Sequence, residues 1–226
     1  MLIPFEDEIW TADGPVVLGA AGFSFPTRMV VIRLPGRQLF VHSPVALTDE
    51  LMSAVQALGR VAYLVAPNNL HFMFLDSWAR AFPAAQVFGA PGVDRKCPGL
   101  DIMDLGRANW GGALDQVVFP GNRITTEYVF HHRLSRTVVF TDLIQQLPKG
   151  WYKGWRRVVA NLDLMTGSEP AVPRKFRVAF QDRAAARTAA ETVLRWKPRH
   201  LSMAHGPLVK DRGAETVEAA FRWSRP

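Results

Sequence analysis

The stretch Arg60-Val61-Ala62-Tyr63-Leu64-Val65-Ala66-Pro67-Asn68-Asn69-Leu70-His71 decides the fold of this 226-residue chain. Its apolar run, Val61 to Ala66, is bounded by turn residues, which is typical of a buried strand in a covered sheet. Pro67 cannot donate a hydrogen bond to a neighbouring strand, so the strand ends before it. A helical pattern follows from Leu75 to about Ala81. Because α/β proteins bind ligands outside the carboxyl ends of their strands, the turn with two Asn and one His is a candidate site.

Strands alternate with helices on both sides of this stretch. A helix capped by Thr48 and ended by Gly59 precedes it, and strands at 38–41 and 86–89 flank it. This alternation predicts a sheet half with parallel strands. The chain begins with two short strands around a turn at 12–14, and the segments 98–112 and 167–174 are predicted to be loops. Further strands are predicted at 27–34, 115–119, 127–132, 137–141 and 199–203. Further helices are predicted near 91–97, at 182–196 and at 215–223, and another helix, led by the segment 148–157, is predicted to end near residue 164.

The length fits one domain or two small ones, the composition is that of a globular protein, and we expect a single domain over residues 1–226. The net charge is +7 and the pI is near 10.1, but no nucleic-acid-binding motif accompanies the charge, so no specific nucleic-acid partner is expected. No apolar run reaches the roughly 20 residues of a membrane span, and the acidic N-terminus is not a secretory signal. A single cysteine, Cys97, excludes an intramolecular disulfide. We therefore expect a cytoplasmic protein without a transmembrane segment.

Polar or titratable residues stand at the ends of several predicted strands. If the sheet forms one twisted layer, these ends converge on one rim, where His and Asp are the usual ligands of zinc or iron. Each residue also has a structural interpretation: a buried His in the core, an Asp that caps a segment, an Asn in a plain turn. The candidates are His42, Asn68, His71, Asn122, Glu127, Asp142 and His205.

The order and spacing of these residues resemble the metallo-β-lactamase fold, in a divergent branch classed as a domain of unknown function. The resemblance extends from Trp10 to Phe221 and implies a four-layer αββα sandwich with mixed sheets. Five stretches of this chain correspond to motifs of the family. Val41-His42-Ser43-Pro44 corresponds to Asp-Thr/Ser-Gly at a strand end, Pro67-Asn68-Asn69-Leu70-His71-Phe72-Met73 to Thr-His-x-His-x-Asp-His, and Pro120-Gly121-Asn122 to Pro-Gly-His. Phe140-Thr141-Asp142 corresponds to the strand end with the bridging Asp, and Ala204-His205-Gly206 to the terminal His-Gly.

The resemblance also implies that most of the family's metal ligands are replaced. Asn68 and Asn122 stand at the first and third His positions, Leu70 at the second, and Phe72-Met73 at the Asp-His of the second metal. Asp142 and His205 match outright. His71 is one position from the expected second His. The expected ligand set is therefore mononuclear: His71, Asp142 and His205 with one zinc, iron or manganese ion, or with no metal.

Two functions follow from this reading. In the first, the protein is a divergent hydrolase of a small ester, lactone, thioester or phosphoester, and Asp142 and His205 are catalytic. In the second, it is a non-catalytic, metal-free member that uses the same rim to bind a small ligand or a partner. A homodimer is left open. The ligand-binding candidates are His42, Asn68, Asn122 and Glu127.

A basic and aromatic stretch, residues 149–157, stands outside this set. Trp151 and Trp155 are four residues apart, and Lys153, Arg156 and Arg157 supply charge. Such a stretch could contact a membrane interface, a nucleic acid or a second subunit. Because aromatic pairs at helical spacing usually lie in a core, the favoured expectation is that both Trp pack as a helical lid over the sheet.

Overall fold

The computed structural model describes residues 1–225; Pro226, the last residue of the expected domain, lies outside the described residues. Residues 1–225 contain eleven β-strands and seven α-helices. The strands are β1 (Ile3–Glu6), β2 (Ile9–Leu18), β3 (Ser24–Leu34), β4 (Gln38–His42), β5 (Arg60–Ala66), β6 (Gln86–Gly89), β7 (Ile102–Asp104), β8 (Leu114–Phe119), β9 (Glu127–His132), β10 (Thr137–Val139) and β11 (His200–Ser202). The helices are α1 (Asp49–Leu58), α2 (Leu75–Ala81), α3 (Val93–Lys96), α4 (Gly154–Leu162), α5 (Arg174–Ala179), α6 (Arg183–Arg195) and α7 (Gly213–Ala220).

The strands form two sheets. The seven-stranded sheet has the order β1-β2-β3-β4-β5-β6-β7 and the four-stranded sheet the order β11-β10-β9-β8. In the larger sheet β3 pairs antiparallel with β4, whereas the pairs β4–β5, β5–β6 and β6–β7 are parallel. The predicted parallel half around the 61–66 strand is therefore confirmed. In the smaller sheet β10 and β11 are parallel.

The chain divides into two compact units, each with its own buried residues. The first unit comprises residues 1–15, 27–115 and 132–135. Its sheet packs around Trp110, whose ring makes edge contacts with Phe40, Tyr63 and Phe88 at centroid distances of 4.9, 5.3 and 5.1 Å. Trp78 of α2 is fully buried and donates its indole N–H to the carbonyl of Val45 (2.7 Å).

The second unit comprises residues 16–26, 116–131 and the described chain from 136 onward. Its core joins the smaller sheet to α6 and α7 through side chains such as Phe119, Phe140, Val193 and Phe221. The rings of Phe119 and Phe221 lie 5.0 Å apart. A second cluster of Leu147, Tyr152, Ala160 and Met165 anchors α4, with Phe23, Phe25 and Trp151 packed against it. Whether the whole chain acts as one domain stays a prediction.

The predicted turn at 12–14 is wrong, because β2 continues through Gly14. A Cβ at this position would lie 2.5 Å from Thr27 Oγ1 and 2.6 Å from Val45 Cβ. The glycine therefore permits close packing within a strand, a role that its sequence neighbours Ala12 and Asp13 do not reveal.

Two short elements were not predicted: β7 lies inside the predicted loop 98–112, and α5 begins at Arg174, the last residue of the predicted loop 167–174. β7 has three residues and pairs with β6 at the last position of the larger sheet, and α5 has six residues and follows Pro173. Both are too short for a periodic pattern to emerge, so tertiary pairing rather than local sequence defines them.

The expectation for the two tryptophans is half wrong. Trp151 is half-buried and donates its indole N–H to the carbonyl of Ser24 (3.0 Å), but Trp155 is exposed. The reason is that α4 begins only at Gly154, so the two residues do not share a helix face.

Among residues 1–225, no helix combines the length and the apolar character needed to cross a membrane.

The end of α1 depends on Gly59. A Cβ there would lie 2.2 Å from the carbonyl oxygen of Arg37, so Gly59→Ala must displace backbone. We expect this change to lower the free energy of unfolding by about 1–3 kcal/mol, as overpacking typically does. Gly99→Ala, which meets nothing within 4 Å, is the control. Urea unfolding of both variants tests this, and equal midpoints would contradict it.

Candidate functional site

The carboxyl ends of β4 and β5 are adjacent in the first unit. His42 pairs with Val65, and the N–H of Ser43 donates to the Val65 carbonyl (2.8 Å). Ser43 has a positive φ of 53° directly after β4, and its hydroxyl lies 2.6 Å from Nδ1 of His71. This hydrogen bond fixes the imidazole and leaves Nε2 as its second ring nitrogen, the arrangement that proteins use to orient a metal-binding histidine.

The turn after β5 is shaped by Asn68. Its side-chain oxygen accepts hydrogen bonds from the backbone N–H groups of Leu70 (2.9 Å) and His71 (3.0 Å). This is the local Asx pattern that favours turns, and Asn68 is fully buried while it makes these bonds. The amide oxygen thus serves the backbone that carries His71. Its predicted ligand-binding role stays a prediction.

In the second unit, a buried carboxylate organises the segment that follows β10. Glu127, at the start of β9, has no solvent exposure. Its two carboxylate oxygens accept hydrogen bonds from the backbone N–H groups of Thr141 (2.8 Å), Asp142 (2.9 Å) and Leu143 (3.2 Å). Burial, and secondarily the charge of Asp142, raise the pKa of Glu127. Glu127 therefore holds the backbone at Asp142.

Asp142 and His205 lie together in the second unit. Nε2 of His205 is 3.3 Å from Oδ1 of Asp142, and both side chains are buried. Nδ1 of His205 is 2.7 Å from the carbonyl oxygen of Pro26. A carbonyl oxygen can only accept, so Nδ1 carries a proton and Nε2 is the ring nitrogen that faces the carboxylate. Gln145 adds a hydrogen bond from Nε2 to the Asp142 carbonyl (3.0 Å).

His71, Asp142 and His205 form a group that could hold a metal ion. Each offers one ligand atom, and these atoms all lie within 4.8 Å of one another. The donor set suits zinc or iron, because it combines two imidazoles with one carboxylate. Nε2 of His205 and Oδ1 of Asp142, 3.3 Å apart, also suit a cation, since a proton or a metal ion beside both atoms stabilises such a pair.

Two further candidates, His42 and Asn122, have other surroundings. Burial lowers the pKa of His42 to about 3, so its ring is neutral at physiological pH. Asn122 donates to the Phe176 carbonyl (2.9 Å) and accepts from the N–H of Ile124 (3.0 Å), again shaping a turn. Neither belongs to the metal-binding group, and the ligand-binding roles of His42, Asn122 and Glu127 stay predictions.

Sequence reasoning missed the groups that orient the candidate ligands: Ser43, Gln145 and the carbonyl of Pro26. Ser43-Pro44 directly after a strand was a weak signal for a special position. The Pro26 carbonyl is a backbone group 179 positions from His205, so no pattern of side chains could reveal it.

Comparison with solved structures shows the fold. The metallo-β-lactamase DIM-1, in a crystal exposed to ceftazidime, matches with a TM-score of 0.65 and 7% identity over 100% of this chain and 97% of that chain. A metallo-β-lactamase from Pontibacter korlensis gives 0.62 and 11%, over 98% of each chain. The metal-soaked flavodiiron core Flv1 from Synechocystis gives 0.66 and 11%, over 99% of this chain and 60% of that chain. The chain therefore has the metallo-β-lactamase fold, and the predicted fold class is confirmed.

Residues 6–93 match a family model described as a domain of unknown function, DUF4336. No curated protein matches the chain.

Glu127 provides a test of the segment around Asp142. In Glu127→Gln one oxygen is replaced by an NH₂ group that cannot accept, so at least one buried N–H loses its partner. We expect the free energy of unfolding to fall by about 1–3 kcal/mol. Glu191→Gln, on the exposed face of α6, is the matched control and should change it by less than about 0.5 kcal/mol. Equal denaturant midpoints for the two variants would show that the three hydrogen bonds contribute nothing.

Proposed function

We propose that the protein binds one divalent transition-metal ion through His71, Asp142 and His205 and hydrolyses a small ester, lactone, thioester or phosphoester. The observation that carries this proposal is the group of ligand atoms within 4.8 Å. Solved structures of the same fold support it, since one of them is the mono-zinc form of the metallo-β-lactamase FIM-1 from Pseudomonas aeruginosa (TM-score 0.59, 15% identity, 100% of this chain and 96% of that chain).

A single metal ion agrees with the positions where the resemblance places other ligands. Leu70 and Met73 are exposed apolar side chains, and the ring of Phe72 lies under the ammonium group of Lys96 at 4.7 Å. None of these three side chains is a zinc donor of the usual kind. A mononuclear site therefore suits this chain better than a two-metal site.

His71, Asp142 and His205 would hold a zinc ion with a position left for water or substrate, and the ion would supply a bound water with a pKa of about 7 and a Lewis acid for a carbonyl or phosphoryl oxygen. The residues of this chain supply the surroundings. Asp142 has a second carboxylate oxygen that can accept a proton from the attacking water. His205 keeps its orientation because Nδ1–H donates to the Pro26 carbonyl, and His71 keeps its own through Ser43. Glu127 and Gln145 hold the backbone of Asp142 in place.

Metal content is the first test of this function. Protein purified without a chelator should contain about one equivalent of zinc, iron or manganese by elemental analysis. Ser43→Ala should weaken metal binding by roughly 10–100-fold, the usual effect of losing a group that orients a ligand. Asp142→Asn and His205→Gln should weaken it further. Ser53→Ala, an exposed serine of α1, is the control.

Metal-free protein that gains no stability from added zinc, iron or manganese would contradict the proposal. It would favour the metal-free, ligand-binding alternative.

Hydrolysis is the second test. A panel of p-nitrophenyl esters, lactones, thioesters and phosphoesters should reveal turnover that falls about 100-fold or more in Asp142→Asn and His205→Gln, because a polarising ion contributes several kcal/mol to the transition state. Glu191→Gln should retain full activity. Dialysis against a chelator should abolish turnover, and the metal should restore it. Unchanged rates in both site variants would exclude this chemistry.

A further inference from the structure

Helix α4 presents a stripe of large apolar side chains to solvent. Trp155, Val158, Val159 and Leu162 are 55%, 58%, 42% and 62% exposed. Their spacing of three, four and seven residues places them on one face of the helix. Apolar stripes of amphipathic helices normally face a core, and a contiguous exposed apolar patch usually marks an interaction surface.

The opposite side of α4 is firmly attached to its own unit. Ala160 is buried in the cluster with Leu147, Tyr152 and Met165. Just before the helix, the Tyr152 hydroxyl donates to the Ser24 carbonyl (2.7 Å). Within the helix, Nε of Arg156 donates to the Ala21 carbonyl (2.9 Å). The helix therefore cannot turn its stripe inward without breaking these contacts, and the exposed face is a fixed feature of the fold.

The charge around the stripe has one sign. No Asp or Glu occurs between Asp142 and Asp163, whereas Lys149, Lys153, Arg156 and Arg157 all lie in this segment. By helical spacing Arg156 and Arg157 leave α4 about 110° and 150° from the middle of the stripe, on the sides of the helix that lie away from it. Asp163, which ends the segment, pairs with Lys175 of α5 at 3.2 Å. An apolar stripe in a segment with cations and no carboxylates is complementary to a surface with an apolar interior and an anionic edge, because long Lys and Arg side chains can extend toward that edge.

We propose that α4 docks on an anionic lipid membrane, with Trp155, Val158, Val159 and Leu162 in the interface and the neighbouring Lys and Arg side chains against lipid phosphates. Basic amphipathic helices with Trp and Leu on the apolar face bind membranes in this way, and Trp prefers the headgroup level.

The composition of the stripe favours lipid over the two other occupants. A second copy of the chain would add the same cations, and its segment between Asp142 and Asp163 offers no carboxylate to neutralise them. Nucleic acid would need stacking or hydrogen-bonding groups, but three of the four exposed side chains are aliphatic and cannot stack on bases.

Vesicle flotation tests the proposal with the full-length protein. Vesicles of phosphatidylcholine with 30% phosphatidylserine, on the order of a natural anionic leaflet, are compared with pure phosphatidylcholine vesicles. The protein should float with the anionic vesicles and not with the neutral ones, and 0.5 M salt, roughly three times physiological strength, should release it. Arg157→Ala should reduce the partition constant about five-fold, the effect expected for one cation near the surface.

Leu162→Gln and Leu134→Gln form a matched pair, since both leucines are well exposed (62% and 66%) but Leu134 lies in the turn after β9. Leu162→Gln should lose most of the vesicle binding and Leu134→Gln none of it. Thermal melts confirm that both variants fold.

Three results would overturn the proposal. One is no flotation at all, and another is equal flotation of the two leucine variants, which would indicate non-specific binding by net charge. In the third result the protein does not bind vesicles, but Leu162→Gln removes another interaction. Loss of a dimer seen by light scattering would assign the face to a second copy, and loss of oligonucleotide binding would assign it to nucleic acid. Vesicle binding does not involve His71, Asp142 or His205, so its outcome is independent of the metal test.

Discussion

The carboxylate of Glu127 imposes the central constraint on the candidate site. Burying an ionised carboxylate is costly unless hydrogen bonds replace its hydration, and here the backbone N–H groups of Thr141, Asp142 and Leu143 do so. The same bonds determine where the chain goes after β10. This path brings a second carboxylate, that of Asp142, near Glu127, and its charge further raises the pKa of Glu127. A cation beside Asp142 would relieve that repulsion, so metal binding and the stability of this segment are expected to be coupled.

The two candidate histidines, His71 and His205, are each oriented by a hydrogen bond to an uncharged group. His205 donates to a backbone carbonyl, and His71 contacts a hydroxyl, so each ring has one nitrogen engaged in a defined hydrogen bond. Both of these partners are uncharged, and each engages Nδ1, so Nε2 is the nitrogen that a metal would bind in the neutral form of the ring. Negative charge in the group comes from Asp142 alone. With a divalent ion, the group would carry a net charge of about +1, which favours an anionic or strongly polarised substrate oxygen.

Much of the fold could be predicted because it rests on local patterns. The Val61 to Ala66 run, the Thr48 cap and the Gln86–Gly89 strand all correspond to elements in the structure. The continuous β2 could not be predicted, since the reason for Gly14 is its contact with Thr27 and Val45. For the candidate site, residue types and strand-end positions pointed to His71, Asp142 and His205. Two of the orienting groups could not be found in this way, because the Pro26 carbonyl is a backbone group 179 positions from His205 and Ser43 lies 28 positions from His71.

Two asparagines shape the turns that follow β5 and β8. Asn68 and Asn122 stand where the resemblance places histidines, and each uses its side-chain oxygen to accept a backbone N–H two residues further on. An imidazole cannot reproduce this Asx geometry, so a turn that relies on it gains stability from Asn at the expense of a metal ligand. The replacements therefore strengthen the loops around the strand ends. Oriented Asp142 and His205 side chains, together with two former candidate positions that shape turns, agree with the single-metal site that we propose.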